Sequence, residues 1–309
     1  MNECRLLSLL LTALLLTLRP AVAATMILPP AEIGLVGAIS HVEANEEDTL
    51  LDIARRYDFG QEEIVLANPD VDRWLPHQGA WVRLPGRHIL PQVARRGVVL
   101  NVSEMRLYYF PDEQSMMTGH VITHPVSIGR MDWLTPLGPT SIIAKKLDPT
   151  WTPPASIKKE AMESGEPLPD VVPAGPDNPL GRYAIRLGRP GYLIHSTNKP
   201  FGVGMRVTHG CVRMYPEDIE RLFPEVPVGT PVQIIDQPVK AGWFADTLYI
   251  EVHPPLEEAP QDEQTRVIQA MEAIHQAVGR EHVLIRGATI LKAVREQSGV
   301  PVPISIGFR

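Results

Sequence analysis

The chain has 309 residues, and its 29 Lys and Arg against 36 Asp and Glu leave a formal net charge of −7, while 44% hydrophobic content is that of an ordinary globular protein. The acidic balance, with no basic run longer than a pair such as Lys145-Lys146 or Arg95-Arg96, argues against a nucleic-acid partner. Proline, at 31 residues, points to many ordered loops and interrupted strands.

Met1 to Ala23 reads as a secretory leader. Arg5 precedes an apolar run from Leu6 to Leu16, and Ala21-Val22-Ala23 is a small-residue cleavage site. The run is too short to span a membrane. Cys4 lies ahead of it and should leave with the leader, so the expectation is an exported, soluble mature chain.

From about Ile39 to Pro85 a small unit parses as strand, helix, helix, strand. Ile39-Ser-His-Val42 alternates like a short strand, and Thr49-Leu-Leu-Asp52 is a capping-box pattern opening a helix with the apolar face Leu50, Ile53, Ala54 and Tyr57. Gly60 breaks that helix. Gln61 to Ala67 is predicted as a second helix stopped by Asn68-Pro69, and Trp81-Val-Arg-Leu84 as the closing strand. This order, with Asp48-Thr49-Leu50 and Ile64 to Pro69, resembles the LysM module, and the resemblance implies binding to N-acetylglucosamine-containing glycan. The opening departs from the module's usual pattern in having His41-Val42 and Glu47-Asp48.

Gly86 to Arg96 reads as a linker, after which Val98–Val102, Arg106–Phe110, His120–Thr123 and Val126–Ile128 form short β-rich runs. Their rhythm predicts a β-sandwich or barrel-like sheet. His120 and His124 have H-x3-H spacing, but Pro125 and the strand-like surroundings favour an ordinary loop over a ligand pair. Pro149 to Pro179 is a proline-rich insert, read as a lid, a binding loop or a rigid surface excursion, in which Trp151 can wall a cleft. Beyond Asp236 the sequence carries one clear helix. It starts near Asp262, puts Val267, Met271, Ile274 and Val278 on one face and stops at Gly279. Residues after about Ser298 read as an extended tail.

The chemistry concentrates in Tyr192-Leu-Ile-His195-Ser196 and Thr208-His-Gly-Cys-Val-Arg-Met214. Without the leader, Cys211 is the one remaining cysteine, so it is a buried small residue, an intermolecular link or a nucleophile. Two histidines decide among these. An imidazole near a thiol can take its proton and hold the ion pair, and Leu193-Ile194 would present His195 from a rigid strand. Gly210 permits a tight turn whose N–H groups can face a developing oxyanion, and Arg213 can hold a carboxylate through paired hydrogen bonds. A zinc site built from His195, His209 and Cys211 is the rival use of the same atoms, disfavoured because no paired ligand spacing is visible.

The pattern His195…Thr208-His209-Gly210-Cys211-x-Arg213 resembles the L,D-transpeptidase (YkuD) family of bacterial cell-wall enzymes. The resemblance extends over roughly 97–236, through Leu100-Asn101-Val102, Thr135-Pro136-x-Gly138 and Val228 to Ile235. It implies a mixed, mainly β fold: a YkuD-like β-sandwich catalytic domain, the LysM-like unit before it, and an α/β segment of unknown role over 237–309. It also implies that Cys211 is the nucleophile, that His195 is the base oriented by the carbonyl of Ser196, and that His209 and Gly210 line the oxyanion region. Arg213, Thr208 and Trp151 are the candidate substrate-binding residues. The expected reaction is periplasmic, needs no metal or organic cofactor, and acts on peptidoglycan stem peptides and glycan strands. The layout and insert resemble the subgroup that attaches the C-terminal lysine of a Braun-type outer-membrane lipoprotein. Formation of 3-3 cross-links, L,D-carboxypeptidase or thiol endopeptidase activity, and a non-catalytic glycan-binding scaffold are the alternatives.

Overall fold

A computed structural model describes residues 24–306, so the predicted leader lies outside the described residues. The first elements are β1 (Ala24–Ile27), β2 (Leu35–Gly37), β3 (Ser40–Glu43), α1 (Leu50–Arg56), α2 (Gln61–Ala67), β4 (Trp81–Leu84) and β5 (Arg87–Ile89). Helix α1 starts where the capping pattern places it. Asp52 N donates to Thr49 Oγ1 at 3.1 Å and Thr49 N to the Asp52 carboxylate at 3.0 Å. Strands β3 and β4 pair antiparallel with Val42 opposite Val82. Leu50, Ile53, Ile64, Val82 and Leu84 share a small core of this βααβ unit.

Gly86 to Arg96 is not a free linker. Within it β5 pairs with β2, Ile89 and Leu90 are buried, and Ile89 N donates to the Glu251 carboxylate at 2.6 Å. The βααβ unit is likewise docked on the chain that follows. At the start of α2 the N–H groups of Gln61 and Glu62 donate to the carbonyls of Val203 and Gly204, each at 3.2 Å, so the helix's orphan donors are satisfied by a distant loop. A Cβ at Gly204 would lie 2.3 Å from the Cα of Gly60, so this approach demands glycine. Arg55 to Glu217 at 3.1 Å and fully buried Arg106 to Glu63 at 2.6 Å add ion pairs across the same junction.

The central elements are β6 (Gly97–Asn101), β7 (Arg106–Phe110), β8 (His120–Pro125), β9 (Ile128–Gly129), β10 (Gly138–Leu147), α3 (Ala155–Glu163), β11 (Tyr183–Leu187), β12 (Leu193–His195), β13 (Arg206–Thr208), β14 (Val212–Arg213), α4 (Pro216–Glu225) and β15 (Pro231–Ile235). Nine strands form one sheet in the order β1-β8-β7-β6-β15-β10-β11-β12-β14, parallel at β6–β15 and β12–β14. Leu107 and Ile122 from one end of that order share a core with Ile185, Ile194 and Val212 from the other. The sheet therefore curls on itself, and the mainly β expectation holds with one curled sheet enclosing the core. His120 and His124 lie on β8 and not in a loop.

The insert is also more ordered than its prolines suggest. It carries α3, which buries no residue, and an isolated bridge joins Trp151 to Val172. With no apolar stripe, α3 leaves no periodic signal for a sequence reading to find.

The final elements are β16 (Val239–Phe244), β17 (Thr247–Val252), α5 (Glu263–Val278), α6 (Gly287–Glu296) and β18 (Val302–Pro303). They make an antiparallel three-stranded sheet covered by two helices around Trp243, Leu248, Ile250, Ile274 and Val294. Helix α5 has the predicted ends, Asp262 accepting from Thr265 N at 2.8 Å and Gly279 at φ 62°. Its buried face is nevertheless Ala270, Ala273 and Ile274, with Met271 45% exposed, because small residues let the helix lie close to the sheet. The supposed tail is part of this unit, since β18 pairs with β17 and Ile304 is fully buried. Lys240, also fully buried, pairs with Glu251 of β17 at 2.8 Å and ties the unit to the central sheet through Glu104 at 2.6 Å. No helix among the described residues is long and apolar enough to cross a membrane.

Candidate active site

Cys211 sits on the turn between β13 and β14, and the turn is held from both sides. Thr208 is 2% exposed and its hydroxyl donates to the Cys211 carbonyl at 2.6 Å. Gly210 has φ +95°, and a Cβ there would come 2.9 Å from the Tyr192 ring. Thr135 closes the other side, its hydroxyl donating to the Gly210 carbonyl at 3.0 Å and accepting from Gly129 N at 2.9 Å. The sulfur itself lies 3.5 Å from the Gly191 carbonyl. Burial pushes the Cys211 thiol pKa up, against the opposing pull of the Leu193 N–H and the Arg213 charge, so the resting group is a thiol that needs a base.

His195 supplies an imidazole from the neighbouring strand. In the parallel β12–β14 pair Ile194 lies opposite Val212 and His195 opposite Arg213, and Met214 N donates to the His195 carbonyl at 2.9 Å. Continuing that register puts Cys211 beside Leu193, two positions from His195 and on the same face of the pleat. Strand spacing and rise then set the two Cα atoms about 8 Å apart, a span that a thiol and an imidazole can close. His195 Nδ1 is 2.5 Å from the Ser196 carbonyl. With Nδ1–H donating there, Nε2 is the free base. Burial, and next the charge of Arg213, lower the His195 pKa to about 4 despite the Ser196 bond, so the ring is neutral at pH 7.

A thiol beside a neutral, oriented imidazole suits nucleophilic acyl transfer. Among the described residues the metal-type clusters are Asp58–His124–Asp218 and Glu104–Glu251–His253, and His195, His209 and Cys211 form none.

Residues 95–234 match the family model of the L,D-transpeptidase catalytic domain (YkuD). The chain is 43% identical over 292 residues to "Probable L,D-transpeptidase YbiS" of Escherichia coli K12, covering 92% of this chain and 93% of that protein. The chain belongs to the L,D-transpeptidase family. It is 40% identical to "Probable L,D-transpeptidase ErfK/SrfK" of the same strain over 96% of both chains, and 42% identical to "Probable L,D-transpeptidase YcfS" over 79% of this chain and 77% of the other. It is thus a transpeptidase enzyme with a YkuD catalytic domain.

The L,D-transpeptidase site also differs in detail from the sequence reading. Thr208 is buried and its hydroxyl is held by the Cys211 carbonyl, so it shapes the turn and presents nothing to a substrate. Trp151 is at the root of the insert in its bridge with Val172, whereas Trp133 packs edge-on against His209 with ring centroids 5.2 Å apart. His209 Nε2 meets the carboxylate of Glu160 on α3 at 2.7 Å, and the same carboxylate accepts from Arg130 at 2.5 Å. Glu160 and Trp133 left no signal in the sequence because each reaches His209 across a loop. Ser196 is buried and serves through its main chain, its N–H donating to the Tyr183 carbonyl at 2.9 Å. Arg213 Nε is buried without a hydrogen-bond partner among the described residues.

Proposed function

We propose that this L,D-transpeptidase is exported to the periplasm and acts on peptidoglycan tetrapeptide stems through a thioester. His195 Nε2 takes the Cys211 thiol proton, and the thiolate sulfur attacks the carbonyl carbon of the diamino-acid residue. Backbone N–H groups of the His209-Gly210-Cys211 turn face the oxyanion. The C–N bond to D-alanine breaks, the imidazolium returns its proton to the departing amine, and the acyl group remains on sulfur. An acceptor amine then attacks the thioester, giving an amide and restoring the thiol. The observation that carries this reading is the His195 Nδ1 contact to the Ser196 carbonyl on the strand beside Cys211, which fixes a neutral base in one tautomer.

The acceptor we favour is the C-terminal lysine of a Braun-type lipoprotein, with Arg213 pairing with its free carboxylate. The buried, unpartnered Arg213 Nε supports a carboxylate at that position. The LysM-like unit holds the enzyme on glycan. Purified enzyme given tetrapeptide muropeptides and a lipoprotein C-terminal peptide should release D-alanine and form a lysine-linked product, read by mass spectrometry. Dimers joined between two diamino acids, with no lysine-linked product, would overturn the acceptor, and an acyl adduct persisting in Cys211→Ala would overturn the nucleophile.

A further inference from the structure

Two clusters of buried ionisable groups lie outside the active site, and they differ in one respect. Around Glu104, Glu251 and His253 the cation is already present, because Lys240 Nζ reaches Glu104 at 2.6 Å and Glu251 at 2.8 Å. Around Asp58, His124 and Asp218 no lysine among the described residues plays that part, and the cationic charges that reach the carboxyls are those of Arg106 and Arg221. These three are 6%, 0% and 1% exposed. As ionised groups, both carboxylate oxygens of Asp58, both ring nitrogens of His124 and Oδ2 of Asp218 are buried with no hydrogen-bond partner among the described residues; a proton shared between Asp58 and Asp218 would be needed to join the two carboxyls. Arg106, the neighbouring guanidinium from β7, is held by Glu63 at 2.6 Å and Thr123 at 3.1 Å. Arg221 lines the cleft beside the cluster. Leaving buried carboxylates and an imidazole unpaired is costly, and a native chain does so where something else satisfies them.

The spacing says what that is. His124 Nδ1 lies 3.5 Å from Asp218 Oδ1 and 3.9 Å from Asp58 Oδ2, and one ligand atom from each residue falls within 4.8 Å of the others. Those separations are long for hydrogen bonds but close to the roughly 3.3 Å between donors sharing a tetrahedral ion with bonds of about 2.0–2.2 Å. One imidazole nitrogen and two carboxylate oxygens are a donor set for zinc. A cleft of about 450 Å³ that includes Asp58, Tyr215 and Asp218 in its wall gives an entry path and room for a water as fourth ligand. His120 takes no part. It is four residues from His124 along an extended strand, about 13 Å away, and its Nδ1 lies near the Met117 and Thr118 carbonyls.

The three donors come from three places: Asp58 from the loop after α1, His124 from near the end of β8, and Asp218 from the first turn of α4, the helix that follows β14. We propose that Asp58, His124 and Asp218 bind one Zn²⁺ that fastens the βααβ unit to the catalytic domain at α4. The ion is structural and takes no part in acyl transfer.

The test uses the chain carrying Cys211→Ala, so that the active-site thiol cannot capture metal. After stripping with chelator, loading with ZnCl2 and desalting, elemental analysis should find one zinc per chain. Zinc at a hundredfold excess over its Kd should raise the melting temperature by about 4 °C for a chain of this size. Adding Asp218→Asn or His124→Gln should weaken retention at least 100-fold and abolish the melting shift. Should either second variant fold poorly, Co²⁺ titration of Cys211→Ala alone must give visible d–d bands with no thiolate band, and Asp58→Asn must lose them. No metal retained by Cys211→Ala, or equal retention with and without Asp218→Asn, would overturn the site and leave the carboxyls to be satisfied by protons.

Discussion

Thr208→Val tests the claim that this buried hydroxyl positions Cys211, the proposed nucleophile. The substitution is nearly isosteric and removes one donor, leaving the Cys211 carbonyl without the 2.6 Å bond that Thr208 makes to it. A buried acceptor deprived of its donor costs about 1–3 kcal/mol. If the turn keeps its shape, the loss appears in stability, as a melting decrease of a few degrees. If the turn relaxes, the sulfur moves and the loss appears in the barrier, where the same energy corresponds to roughly 5- to 150-fold in acylation rate. The assay is stopped-flow acylation by a slow acyl donor such as a carbapenem, followed by intact mass, with thermal melting on the same samples. Thr208→Ser keeps the hydroxyl and should retain most of the rate. Wild-type melting and acylation in Thr208→Val, or a loss in Thr208→Ser as large as that in Thr208→Val, would refute the positioning argument.

Glu160→Gln keeps the size of the carboxylate that holds His209 and Arg130, and should lower kcat/KM about fivefold with little change in melting, since α3 buries nothing; unchanged steady-state kinetics would remove α3 from the site. His195 has its pKa lowered from 6.5 to about 4, so activity of the free enzyme should persist through pH 6.5 and fail only near pH 4. The sign for stability is the same: the depressed pKa contributes roughly 3 kcal/mol above pH 6.5, lost as pH falls through 4, and denaturant midpoints for wild type and His195→Gln should converge over that window. Trp81 is 65% exposed on β4 with His41 at its edge, and Trp81→Ala should weaken pull-down with insoluble peptidoglycan while leaving turnover of soluble muropeptides unchanged; equal pull-down would count against glycan binding by this unit.

The local signals in this chain are strong where physics acts within a few residues. The Thr49–Asp52 box, the Asp262 and Gly279 ends of α5, the short β-rich runs that became β6 to β8, and the His-Gly-Cys turn all rest on short-range geometry and composition that the sequence reveals. The helix α3, lacking an apolar stripe, and the strand β18, too short for a pattern, carry no such signal. Tertiary structure alone decided the rest. It brought Glu160 to His209 across 49 residues, made a docked segment of an apparent linker, and turned Thr208 inward. It also gathered Asp58, His124 and Asp218, from three separate segments, into one buried cluster. Periodicity records which face of an element is apolar, but a buried polar contact between distant segments depends on where the curled sheet closes, and that is a property of the whole core.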